Sequence, residues 1–151
     1  MSEPRGKTPH GEMTLDQLAG VQPGMAAIMK DTGERYTRTY YAAKGGNWKL
    51  AAHELNQVRA TFRVAKVTRP KFAEDLDAYD AEYLQPIFKA IHDQNWKEFE
   101  AAFGKGEAGS DFYHDKTGYP HIRYVLPREA PTSNLFQGPP ETFKREKRVK
   151  D

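Results

Sequence analysis

The sequence predicts an all-α protein, an antiparallel four-helix bundle of two helical hairpins with an extended C-terminal tail. Three observations lead there. Apolar residues recur at spacings of three and four in four successive segments, the periodicity of helices with one buried face. Tyr40-Tyr-Ala-Ala-Lys-Gly-Gly-Asn-Trp-Lys aligns with Phe88-Lys-Ala-Ile-His-Asp-Gln-Asn-Trp-Lys, 48 residues further on. Each copy reads as a helix end, a short turn, an Asn cap and a Trp opening the next helix, and two such hairpins stacked together make a bundle. Beyond Gly118, Pro120, Pro127, Pro131, Pro139 and Pro140 exclude a further helix.

Taken in order, residues 1–13 are polar, carry Pro4, Gly6, Pro9 and Gly11, and are expected to form a mobile arm. Thr14 and Gln17 have the spacing of a capping box and open a short helical turn. The first long helix is expected from near Pro23 to about Ala43, ended by Gly45-Gly46. Its apolar face includes Met25, Ile28, Met29, Tyr36 and Tyr40. Asn47 caps the second helix, Trp48 to about Val67, which Arg69-Pro70 breaks because the residue before proline is driven out of the helical region. The third runs from about Lys71 to His92 and should kink near Glu82 or Tyr83, where Pro86 removes a backbone bond. Asn95 caps the fourth. Gly104, Gly106 and Gly109, each costing about 1 kcal/mol relative to Ala, predict a break between Phe103 and Ser110.

The ordered unit is expected over residues 14–137, with 138–151 a charged, solvated end. The tail from Tyr119 to Gln137 is expected to bury Ile122, Val125, Leu126, Leu135 and Phe136 and to close over His114.

Composition narrows the function. Only 38% of the chain is hydrophobic, but 8 Tyr, 8 Phe and 2 Trp bury roughly 150 to 250 Å² each and compensate. The 23 basic and 21 acidic residues leave a net charge of +2, too small a field to attract nucleic acid, so no nucleic acid partner is expected. The absence of cysteine excludes disulfides, thiolate metal sites and a Cys nucleophile. No apolar run approaches the ~20 residues of a membrane span. The chain as written is expected in the cytoplasm, or in the periplasm if an export signal has been removed. No nucleophile and base stand at recognisable spacing, no Gly-rich phosphate loop follows a strand, and no catalytic carboxylate pair is apparent, so no enzyme is expected.

Acidic Glu74, Asp75, Asp77, Asp80 and Glu82 read as one edge of the third helix facing Arg59, Arg63 and Lys66 of the second, a structural pairing. A metal cluster of His53, His92, His114 and His121 would need them to converge. The nearest approach to a di-iron motif is a single Asp111-x-x-His114.

The order Asn47-Trp-Lys-Leu-Ala, Pro86-Ile-Phe-Lys-Ala-Ile-His-Asp, Phe99-Glu-Ala-Ala-Phe and His114-Asp-Lys-Thr-Gly-Tyr-Pro-His-Ile, with Pro127 and Asn134-Leu-Phe, resembles small bacterial cytochrome c-like helical proteins over residues 15–137. In that group the last helix ends in Cys-x-x-Cys-His and runs into a Thr-Gly-x-Pro turn and a proline-rich tail. Here Ser110 and Tyr113 stand in the cysteine positions, so covalent haem attachment is impossible and only His114 carries over as an axial ligand. Two outcomes follow from the resemblance. The haem space is filled by Phe112, Tyr113 and the tyrosines at 36, 40, 79 and 83, leaving a haem-free protein without cofactor that binds a protein partner or itself. Alternatively haem b is held noncovalently by iron coordination at His114, beside Tyr113 and Ser110, with Met25 or Met29 as second ligand. The first is the expectation.

Overall fold

The computed structural model describes residues 3–131 and 135–145. It is mostly helical, with one small antiparallel sheet. That sheet is a departure from the all-α expectation. Where a mobile arm was expected, strands β1 (Arg5–Thr8) and β2 (Gly11–Thr14) pair with Arg5 opposite Thr14 and Thr8 opposite Gly11. The loop is local chemistry: Thr8 Oγ1 donates to the Gly11 carbonyl and accepts from the His10 amide, and Gly11 takes φ 143°, which glycine tolerates. Strands this polar have no apolar alternation by which to be recognised.

Helix α1 (Leu15–Gly20) begins with the expected capping box: Thr14 Oγ1 accepts from the Gln17 amide at 3.1 Å and Gln17 Oε1 accepts from the Thr14 amide at 2.9 Å. Helix α2 (Met25–Lys44) starts two residues after Pro23. Helix α3 (Trp48–Thr68) is capped by Asn47, whose Oδ1 accepts from the Leu50 amide, and ends at Arg69-Pro70. The intervening turn is a Schellman motif in which Gly46 (φ 83°) lets the Asn47 amide reach the Ala42 carbonyl and its own amide reach that of Ala43.

The third helical segment follows a 3₁₀ turn at Pro70–Phe72 and consists of α4 (Ala73–Tyr79), a π turn (Asp80–Leu84) and α5 (Gln85–His92). The π turn falls where the kink was expected. Pro86 has no N–H for the preceding turn, and the helix widens so that the Gln85 amide bonds the Asp80 carbonyl instead. The turn that follows α5 repeats the Schellman motif of the first hairpin, with Gln94 at φ 50° in place of Gly46 and the Asn95 amide on the Ala90 carbonyl. Asn95 then caps α6 (Trp96–Lys116) through the Glu98 amide.

Helix α6 is unbroken, contrary to the break expected between Phe103 and Ser110. The reason is tertiary. A Cβ at Gly106 would collide with the Tyr36 hydroxyl, and one at Gly109 with the Tyr83 ring. The bare backbone lets Tyr36 Oη donate to the Phe103 carbonyl and Tyr79 Oη to the Gly106 carbonyl, both at 2.9 Å. Packing and hydrogen bonding offset the intrinsic cost of the glycines.

Neighbouring helices run antiparallel. Between α2 and α3, Thr32 meets Thr61 (2.6 Å) and Arg35 meets the fully buried Glu54 (3.1 Å). Between α2 and α6, Tyr36 stacks on Phe103 (4.1 Å between centroids) and Tyr40 meets Trp96 (5.5 Å). The complementary charges of α3 and the third segment pair in part as read from sequence: Arg59 grips Asp80 through Nε and Nη2 while lying over the Phe88 ring, and Lys66 reaches Asp77, but Asp75 pairs with Lys116 of the last helix instead. Leu55, Val58, Leu84, Ile87, Phe99 and Phe103 are fully buried between these helices, each contributing about 1.5 to 3 kcal/mol by burial.

A third Schellman motif, with Gly118 at φ 89° and the Tyr119 amide on the His114 carbonyl, ends α6 and sends the tail back beside α2. Of its apolar residues expected to be buried, Leu126 packs partly buried against the core, but Ile122 is 44% and Val125 76% exposed, and Leu135 and Phe136 are also exposed. The tail is held mainly through its carbonyls and one tyrosine. Tyr124 Oη bonds Thr37 Oγ1 (2.8 Å), Tyr41 Oη donates to the Pro127 carbonyl, and Asn47 Nδ2 donates to the Phe136 carbonyl (3.0 Å). Gly45 is glycine because a Cβ there would strike the Gln137 carbonyl. Asn134 and the charged end from 146 onward lie outside the described residues.

Candidate functional site

The N-terminal half of α2, the C-terminal part of α3, helix α4 and the last turns of α6 line a half-open cavity of about 470 Å³, with the start of the tail across it. Met25, Met29, Thr32, Gly33 and Tyr36 approach from α2, at helical spacings of three and four. Val58 and Phe62 come from α3. Asp75, Leu76 and Tyr79 come from α4, with Phe72 just before it. Helix α6 contributes Ser110, Tyr113 and His114, with Thr117 after it, and the tail adds Tyr119, Ile122, Arg123 and Tyr124.

All five sequence-predicted site residues, His114, Tyr113, Ser110, Met25 and Met29, therefore line one cavity. The expectation that rings fill this space is overturned. Tyr36, Tyr79 and Tyr113 form walls, but Tyr83 lies against Gly109, Tyr40 belongs to the cluster around Trp96, and Phe112 is 57% exposed. Phe112 is not among the lining residues and its ring meets that of Tyr113 edge-on from outside at 5.1 Å. Of the other histidines considered as ligands, His92 is largely exposed beside Asp93 and His121 lies on the surface near Tyr119.

Ser110 and His114 sit one turn apart on α6, with Oγ and Nδ1 3.5 Å from each other, at the outer limit for a hydrogen bond. Burial holds the His114 imidazole below its ordinary pKa, with Arg123 pressing the same way and Asp111 and Asp115 opposing, so it favours the neutral form. Burial likewise raises the Glu107 carboxyl, with Asp111 adding to the effect. Tyr124 is pushed up to about 12 and Tyr36 higher still, again chiefly by burial. These phenols are structural donors.

The hydroxyls of Thr32 and Thr117 are already engaged, Thr32 with Ile28 and Thr61 and Thr117 with the Tyr113 carbonyl. Lys116 Nζ donates to Asp75, and Arg123 Nη2 reaches Asp115 (2.6 Å) while its Nε lies 3.8 Å from Asp111. Arg123, Asp75 and Tyr124 were not legible as site residues. The tail's path across the cavity brings Arg123 and Tyr124 there, and Asp75 read only as part of a structural charged edge.

Chemically the arrangement is an apolar, ring-walled chamber with one loosely engaged Ser–His pair. The pair stands at the C-terminal end of α6, where backbone carbonyls accumulate. Among the described residues no helix is long and apolar enough to cross a membrane. No family model, curated protein or solved structure matches the chain.

Proposed function

We propose that this chain is a non-enzymatic binding protein. In this reading its helices form an antiparallel four-helix bundle related to the cytochrome c-like helical proteins, and the space corresponding to theirs holds a small apolar ligand without covalent haem. The observation that carries the reading is the cavity itself. Its volume lies within the range of about 300 to 1,000 Å³ of small-molecule sites, and its walls are mainly aromatic and aliphatic with a few polar groups. Met25 and Met29 add adaptable walls, since the unbranched thioether follows irregular shapes. The relationship is supported by the convergence of Ser110, Tyr113 and His114 with Met25 and Met29 on that cavity. Titration with naphthalene tests the binding: it should raise the unfolding temperature and shift the Met25 and Met29 methyl resonances, and no shift would sink the reading.

A second reading is favoured by the position of His114 on the same cavity as Met25 and Met29. Noncovalent haem b would use the neutral His114 imidazole as axial ligand, and its iron would supply electron-transfer or sensing chemistry. Its carboxylates would have to compete for Arg123 and Lys116, which already hold Asp115 and Asp75. A Soret band that survives purification and disappears in His114→Ala would replace the first reading with this one. A protein partner or self-association belongs to the first reading, and Val64 and Val67 of α3 and Phe112 of α6 are among the exposed apolar side chains that could serve it.

A further inference from the structure

We infer that the cavity selects an uncharged, ring-containing molecule with one hydrogen-bonding end, and discriminates against carboxylates. The inference rests on the binding reading above and adds the chemical class of the ligand.

Size comes first. A cavity of about 150 Å³ accommodates a benzene ring, and the space here, about 470 Å³, is large enough for two or three rings. The walls select rings as well. Tyr36, Phe62, Phe72, Tyr79 and Tyr113 line it from α2, α3, the turn before α4, α4 and α6, and aromatic pairs gain from offset or edge-to-face contact beyond the area they bury.

Charge decides the rest. Two charged side chains line the cavity, Asp75 and Arg123, and each is already paired. Counting their partners, a bound anion would meet Asp75, Asp111 and Asp115 against Arg123 and Lys116, an excess of negative charge. The Asp111 oxygen that makes no hydrogen bond is the one 3.8 Å from Arg123 Nε. The first turn of α2 and the last turn of α6 both reach the cavity, so their helix-end charges offset one another. An anion reaching Arg123 would have to share the guanidinium with Asp115 on Nη2 and the Ile122 carbonyl on Nη1. A neutral hydroxyl or amide group meets no such cost, and the 3.5 Å gap between Ser110 Oγ and His114 Nδ1 leaves both atoms with bonding capacity for it.

Three probes with the same ring body separate the possibilities: naphthalene, 2-naphthol and 2-naphthoate, titrated calorimetrically into the full chain at neutral pH, with the Met25 and Met29 methyl resonances reporting location. The expected order is 2-naphthol about fivefold to tenfold tighter than naphthalene, and 2-naphthoate at least tenfold weaker than 2-naphthol. The advantage of 2-naphthol over naphthalene should shrink in Ser110→Ala and in His114→Asn. If 2-naphthoate binds as tightly as 2-naphthol and moves the same methionines, the charge argument is overturned while the binding reading stands. If no probe moves either methionine, both fall together.

Discussion

The two ends of the helical assembly are made from similar materials and packed to opposite results. At one end lie the two hairpin turns, Gly45-Gly46-Asn47 and Asp93-Gln94-Asn95, and there Trp48, Trp96, Phe99 and Tyr40 interlock at centroid distances of 5.5 to 6.2 Å over the buried Ala42, Ala43, Ala51 and Ala90. At the other end the chain crosses from α3 to α4 through Pro70–Phe72, and α6 gives way to the tail. That end has at least as many rings, yet they stand around a space. Tight Schellman turns draw helix ends together, and small residues let rings interleave. The crossover and the tail impose no such closeness, and methionines replace alanines. A closed end and an open end thus follow from connections as much as from side-chain volume.

The largest test of this contrast compares truncations. Phe99→Ala at the closed end should cost about 3 to 5 kcal/mol, because rigid packing leaves a cavity behind. Met29→Ala at the open end should cost about 1 kcal/mol or less, since its side chain already borders space. Denaturant unfolding measures both, and equal losses would erase the distinction between the ends.

Between the ends, the glycines of α6 sharpen the same point. Gly109→Ala should destabilise by about 1 to 3 kcal/mol through collision with Tyr83, although alanine is the better helix former. At Gly104 an added Cβ would meet nothing within 4 Å, so Gly104→Ala should add up to about 1 kcal/mol of stability. Both variants gaining stability alike would show that no ring needs the bare backbone.

The smallest effect concerns protons at the open end. The folded-state pKa of His114 lies below the ordinary 6.5, so the fold favours the neutral ring. Its contribution is fully present above about 6.5 and is lost as pH falls from there through the folded-state value. His114→Asn should flatten that part of the stability profile, and an NMR titration midpoint at or above 6.5 would contradict the burial of the ring at the cavity.

What was legible in the sequence was what is decided locally. Thr14, Asn47 and Asn95 cap helices because their own oxygens reach amides three residues on, and Pro86 disturbs its helix one turn upstream through its missing donor. The charged edges of α3 and α4 were readable because helical periodicity aligns them. The order of motifs also brought out five residues that share a cavity. Distant partners decided the rest. Gly106 and Gly109 look like helix breakers until Tyr36 and Tyr83 are seen against them. The filled pocket was an argument about volume that ignored direction, and Phe112 points outward. The tail's apolar residues suggested burial, whereas the hydroxyls of Thr37 and Tyr41 and the amide of Asn47 hold it from α2 and its turn.

The route of the tail also has a mechanical meaning. Its anchors follow one another along α2 and the turn beyond: Tyr124 at Thr37, Pro127 at Tyr41, Phe136 and Gln137 at Asn47 and Gly45, Pro139 at Gly46. A pull from beyond Phe143 therefore loads them in sequence from the Gly46 end, in the manner of peeling tape. The residues across the cavity feel the load last, after the peel has travelled roughly 14 Å along the helix axis from 46 to 37. A pull applied beyond Phe143 would thus leave the segment across the cavity in place under small forces and lift it only when the preceding length had come away.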